Sequence, residues 1–161
     1  MEISHKLQEM LQRDQKARTK IRKSNYTDAD VADLEKINLE NMKAFKKIYK
    51  DYGLITIKDF GAEASLAAFT IVQHSADSDI TFMKKYLNDM EKNINEINKS
   101  FTAYLKDKIL LKEKKPQIYG TQIMEDGKPW EILDPDNVNE RRAKVGLPPL
   151  EEYIRQHNAQ S

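Results

Sequence analysis

Cysteine is absent from all 161 residues, which removes disulfide scaffolds, thiol nucleophiles and thiolate zinc sites together. Nor is there a run of about 18 apolar residues, the length that a spanning helix needs. The longest mostly apolar stretch, Ala62 to Val72, is interrupted by Glu63, Ser65 and Thr70 and reads as a buried helix. The start of the chain, Met1-Glu2-Ile3-Ser4-His5-Lys6, has no signal-peptide h-region, so the expectation is a cytoplasmic protein without a membrane partner. No nucleophilic serine motif, glycine-rich phosphate loop or dinucleotide fingerprint occurs, so no nucleotide cofactor motif is present. An excess of one charge is also missing: 27 Lys+Arg face 26 Asp+Glu, for a net charge of +1. That balance argues against a nucleic-acid partner, although a local basic face stays open. Arginine is scarce beside lysine, 6 against 21, and sits only at Arg13, Arg18, Arg22, Arg141, Arg142 and Arg155.

What is present suits one domain, residues 1–161, long enough to bury roughly two thirds of its unfolded surface. Ile3, Leu7, Met10, Leu11, Ala17 and Ile21 recur at helical spacing and predict a first helix to about Lys23. Thr27 or Asp28 offers the N-cap of a second, and Gly53 its end. A short Ala-rich helix follows from Asp59 to Gln73. Asp77-Ser78-Asp79 cap a fourth with Ile80, Met83, Tyr86, Leu87 and Met90, and Phe101 to about Lys112 forms a fifth. Past Pro116 the alternation of Gln117 to Met124, the turn signal Asp126-Gly127 and a return over Trp130 to Leu133 predict a β-hairpin. A short helix from Asp134 to Val145 and a last helical turn, Leu150 to Gln156, complete the chain. The expected fold is mainly α: a bundle of about five helices over residues 3–113, a small C-terminal hairpin over 117–133 and a helical segment over 136–157.

Four groups of residues could carry chemistry. Asp14 and Arg18 are one helical turn apart, with Gln15 beside Asp14, so an acid and a guanidinium can meet; an ordinary solvated pair has the same spacing. His74, Asp77 and Asp79 follow an apolar helix, where they could hold a divalent cation or act as a base with its orienting acid; helix capping needs the same residue types. Gln117, Tyr119, Thr121 and Gln122 present amides and hydroxyls around Gly120, either to a polar ligand or to water along an edge strand. Arg141 and Arg142 offer planar forks for a carboxylate or phosphate, or locks for the C-terminal segment on Asp134, Asp136, Glu151 or Glu152.

Together, Asp14-Gln15-x-x-Arg18, His74-Ser75-Ala76-Asp77-Ser78-Asp79, Gln117-x-Tyr119-Gly120-Thr121-Gln122 and Arg141-Arg142 with Gly146-Leu147 and Glu152-Tyr153 resemble the bacterial domain of unknown function 6624 family. The resemblance spans about residues 10–155. One extra residue separates His74 from Asp77, and Asp107-Lys108 stands where the family pattern has Asp-Arg. What the resemblance implies is convergence of these motifs on one pocket, with no activity assigned by the family itself. The expectation is an enzyme acting on a small anionic substrate by acid/base chemistry, with hydrolysis as the reaction class. In it His74 is general base or acid, Asp77 or Asp14 its orienter, and Arg18 and Arg141 anion clamps. Gln15, Gln117, Tyr119, Thr121, Gln122 and Arg142 complete substrate binding. A divalent metal, if one is used, would sit on His74, Asp77 and Asp79. Two other readings stand beside this one: a non-catalytic module holding a nucleotide-like or carboxylate ligand, and an inhibitor- or immunity-type domain with a protein partner.

Overall fold

The computed structural model describes residues 2–23, 25–74 and 79–160, which fall into two compact units, Met1–Asp79 and Ile80–Ser161. In the first unit α1 (Glu2–Ile21) packs on α4 (Ala62–Gln73) and on α2 (Asp28–Tyr52), with α3 (Ile57–Phe60) leading into α4. Thr27 is the N-cap of α2: its hydroxyl accepts from the Asp30 N–H while the Asp30 carboxylate accepts from the Thr27 N–H, a complete capping box. Gly53 ends the helix. The Ala-rich helix expected from Asp59 is instead two helices. Gly61, at φ +87°, breaks the run, and Thr56 caps the short α3 by accepting from the Asp59 N–H. Ala64, Ala67 and Ala68 of α4 are buried with Leu7, Met10 and Ala17 of α1 and Phe45 and Ile48 of α2. Small side chains on α4 allow its neighbours a close approach.

The α1 stripe contains one anomaly. Leu7, Met10 and Ala17 are buried as expected, and so is Asp14 between them, at 2% exposure. A carboxylate on an apolar face is costly unless it is paired.

In the second unit α5 (Ile80–Lys92) packs on α6 (Lys99–Lys112), and Met83, Tyr86, Met90, Ala103, Leu105 and Ile109 form the shared core. A 3-10 turn (Pro135–Asn137), α7 (Val138–Lys144) and α8 (Leu150–Gln160) follow. The mainly α expectation holds, but the C-terminal β-hairpin does not: among the described residues there is no strand. Only two isolated bridges occur between 117 and 132, Ile123 with Pro129 antiparallel and Gln117 with Ile132 parallel. The Asp126-Gly127 turn does form, with Gly127 at φ +80° and its N–H on the Met124 carbonyl at 3.0 Å. Pro129 has no N–H to give, and beyond it the arms meet only through scattered bonds: Trp130 N–H to the Gln122 carbonyl at 3.2 Å, Gln117 N–H to the Glu131 carbonyl at 2.8 Å and Leu133 N–H to the Gln117 carbonyl at 2.7 Å. Further on, side chains take over the ladder's work. The Asp107 carboxylate accepts from the N–H groups of Ile118, Tyr119 and Thr121, and Gly120 between them turns at φ +67°. A segment whose donors are held by a carboxylate on α6 cannot also offer them to a neighbouring strand.

Candidate functional site

In the first unit the buried Asp14 is met from two sides. His74, the residue that ends α4, places Nδ1 2.8 Å from Asp14 Oδ2. Arg18, one turn along α1, donates Nε–H to Asp14 Oδ1 and Oδ2 at 3.1 and 3.2 Å. Arg18 Nε also lies 2.9 Å from His74 Nδ1. Nδ1 cannot both accept from Arg18 and donate to Asp14, whereas the carboxylate can accept from both. A lone pair on Nδ1 would face the carboxylate's own lone pairs, so the proton belongs on Nδ1 and Nε2 becomes the basic nitrogen. Burial opposes ionisation of Asp14, but the His74 hydrogen bond and charge and the Arg18 guanidinium outweigh it, and its carboxyl is held below the usual value. The result is an imidazole oriented by an ionised acid beside a guanidinium that is about a quarter exposed, at 27%. Asn38 on α2, which sequence reasoning did not single out, adds a long 3.4 Å contact from its Oδ1 to the outer Arg18 nitrogen. Gln15 lies on the exposed side of α1.

Asp77 lies outside the described residues. Asp79 pairs with Lys46. No group of three His, Asp or Glu side chains is placed to hold a metal ion among the described residues.

In the second unit the remaining candidates form a network around a residue that sequence reasoning did not select. Asp107 is fully buried. Its Oδ1 accepts from Ile118 N–H at 2.8 Å, and its Oδ2 accepts from Thr121 N–H at 2.9 Å and Thr121 Oγ1 at 3.0 Å, with Tyr119 N–H within 3.2 Å of both oxygens. The signal available was a lone acid, four residues from Ala103 and three from Leu110, on a helix whose other charged residues are all lysines. Gln117 is also fully buried: Nε2 donates to the carbonyls of Gln122 and Trp130, and Oε1 accepts from Gln122 N–H. The Gln122 side chain donates to Thr121 Oγ1 at 3.1 Å.

The two arginines divide their roles. Arg141 donates to the backbone carbonyls of Ile118, Leu133 and Asp134 and to the Asp134 carboxylate, so it braces the start of the C-terminal segment. Arg142 is fully buried, donates to the carbonyls of Tyr119 and Pro148 at 2.6 Å, and lies 4.9 Å from the Tyr153 ring centre. Asp107 and Arg142 therefore grip the two sides of one residue, Tyr119, by its N–H and its C=O. Tyr153 closes the network by donating its hydroxyl to the Thr121 carbonyl at 2.9 Å. Burial, followed by the neighbouring Tyr104, pushes the Tyr153 hydroxyl well above its usual value.

These features define a mainly helical protein with an Asp–His–Arg cluster in one unit and a carboxylate-held loop in the other. The chain belongs to the Family of unknown function (DUF6624), which it matches over residues 1–160. No curated protein and no solved structure matches it.

Proposed function

We propose that this chain is an enzyme that acts on a small anionic substrate by acid/base chemistry centred on His74, with hydrolysis as the reaction class. The observation that carries this reading is the 2.8 Å contact between the His74 ring and the buried Asp14. A carboxylate on Nδ1 fixes the tautomer, aims the ring and stabilises the imidazolium once Nε2 has taken a proton from water or a substrate hydroxyl. Arg18 supplies positive charge at the same place, which favours an anion in the ground state and as negative charge develops. Asp77 is a second candidate to orient His74.

Hydrolysis of 4-nitrophenyl phosphate and 4-nitrophenyl succinate by the parent chain and by His74→Ala tests this. The variant should lose roughly 10²–10⁴-fold in kcat/KM, the usual contribution of a positioned acid/base. Equal rates for the two proteins would sink the assignment. Phosphate binding followed by calorimetry should weaken in Arg18→Lys, and unchanged affinity would remove the clamp role of Arg18. Tight binding without turnover would favour the ligand-holding module.

A second reading draws on the other unit. Gln117, Thr121, Arg141 and Arg142 direct their polar groups to this chain's own backbone and side chains, the arrangement expected of a protein-interaction domain whose motifs are structural. Absence of both turnover and phosphate binding would favour it.

A further inference from the structure

A groove of about 440 Å³ in the second unit is lined by Leu111, Lys114, Lys115, Pro116, Trp130 and Glu131. Its volume falls within the range of small-molecule sites. Trp130 is the only tryptophan in the chain, yet it remains 49% exposed beside Leu111 and Pro116. Leaving half an indole in water forgoes burial that a core position would supply.

The groove's basic rim is unusual in its backbone. Past α6 the Lys115 N–H bonds to the Leu110 carbonyl and the Lys114 N–H to the Leu111 carbonyl, each at 2.9 Å, which is the Schellman pattern with Lys114 at its left-handed position. Glycine ordinarily fills that position, and Lys114 occupies it at φ +58°. Lysine in that place carries a strain that glycine would not. Among the described residues no hydrogen bond or ion pair holds the Lys114 ammonium or the Glu131 carboxylate, while Lys115 pairs with Glu113 at 3.1 Å. The site thus joins a half-exposed indole and an apolar wall to one available cation and one available acceptor.

We propose that this groove binds a planar aromatic anion of the chemistry of a purine nucleoside monophosphate, with the ring on Trp130 and the anion on Lys114. Indole faces stack on bases, and the ammonium complements a phosphate that water alone would hold. Glu131 can accept from a ring amino group or a sugar hydroxyl. The proposal is independent of the His74 reading, because every residue it uses lies in the second unit.

Fluorescence of Trp130 reports this groove without interference from another tryptophan. Adenosine monophosphate should change that emission saturably, and adenosine or inorganic phosphate alone should bind at least tenfold more weakly. Lys114→Gly should weaken nucleotide binding tenfold or more while melting no lower than the parent, since glycine relieves the left-handed strain. That pairing separates loss of a ligand contact from loss of fold. The proposal is overturned if emission shows no saturation by about 10 mM nucleotide, weaker than a millimolar complex. It is equally overturned if adenosine binds as tightly as its monophosphate, or if Lys114→Gly binds as tightly as the parent.

Discussion

Two buried carboxylates, each on the apolar face of its helix, control the polar chemistry of this protein. Asp14 is ionised because His74 and Arg18 together outweigh its burial. Its folded-state value is depressed, so its contribution to stability is present above the ordinary carboxylate value, about 4, and is lost as pH falls through the lower folded value. Asp14→Asn should therefore lower stability at neutral pH by ~1–3 kcal/mol, the cost of leaving polar partners unmatched. The variant's stability should also depend less on pH in the acid range. Urea unfolding at pH 7 and pH 3 checks both, and a variant whose loss is the same at the two pH values would contradict the pairing. Asp107 has no room for the same change. In Asp107→Asn the new amide N–H groups would face the N–H groups of Tyr119 and Thr121, donor against donor. The loss should be larger, ~3–5 kcal/mol, as for other broken buried charge networks, and is readable as a shifted urea midpoint.

Among the elements, the segment after Pro116 shows what a loop gains when a carboxylate replaces a ladder. Gly120 is its tightest point: a Cβ there would lie 2.7 Å from Ile132 Cδ1 and 3.0 Å from Leu150 Cδ1, at a backbone φ of +67°. Gly120→Ala should cost ~2–4 kcal/mol from left-handed strain and overpacking together. Ile132→Val removes the nearer methyl, so the double variant should recover part of the overpacking cost and leave the strain and the Leu150 contact. Additive losses in that cycle would show that the contact does not limit the site. The same segment marks where local pattern reading ends. Helical spacing and the caps Thr27 and Gly53 located α1 and α2, because those signals lie within a turn or two of what they specify. The four-residue spacing of Asp14 and Arg18 was legible for the same reason. The alternation from Gln117 to Met124 looked like a strand because nothing local reveals that Asp107, 11 to 14 residues upstream, takes its N–H groups. The lock of an arginine on Asp134 was among the readings the sequence offered, and Arg141 makes it, but which of the two adjacent arginines is buried was not legible. Only the chain's route through α7 decides which is which.

At the scale of the whole molecule the ionisable groups set a stability profile with two edges. Asp14, Asp30, Glu113, Glu140 and Glu151 are all held below their usual values, Asp14 by His74 and Arg18 against its burial, and the other four, nearer the surface, by hydrogen bonds to side chains or backbone N–H groups. The unfolded chain therefore binds more protons than the folded one at acid pH, and stability rises with pH across that range. The exposed pairs are weakened by salt, whereas the buried Asp14 pair is screened much less. At the other edge Tyr153 is raised, so the unfolded chain releases its phenolic proton first and stability declines as pH climbs past about 10. Ionised, Tyr153 would also lose the bond that it donates to the Thr121 carbonyl, which ties α8 to the loop. Tyr153→Phe should thus lower stability at pH 7 by ~1 kcal/mol through the lost bond, yet show a shallower decline between pH 9 and 11. Thermal melts of the parent and variant across that interval decide it: parallel alkaline curves would mean that other groups titrating in that range set this edge.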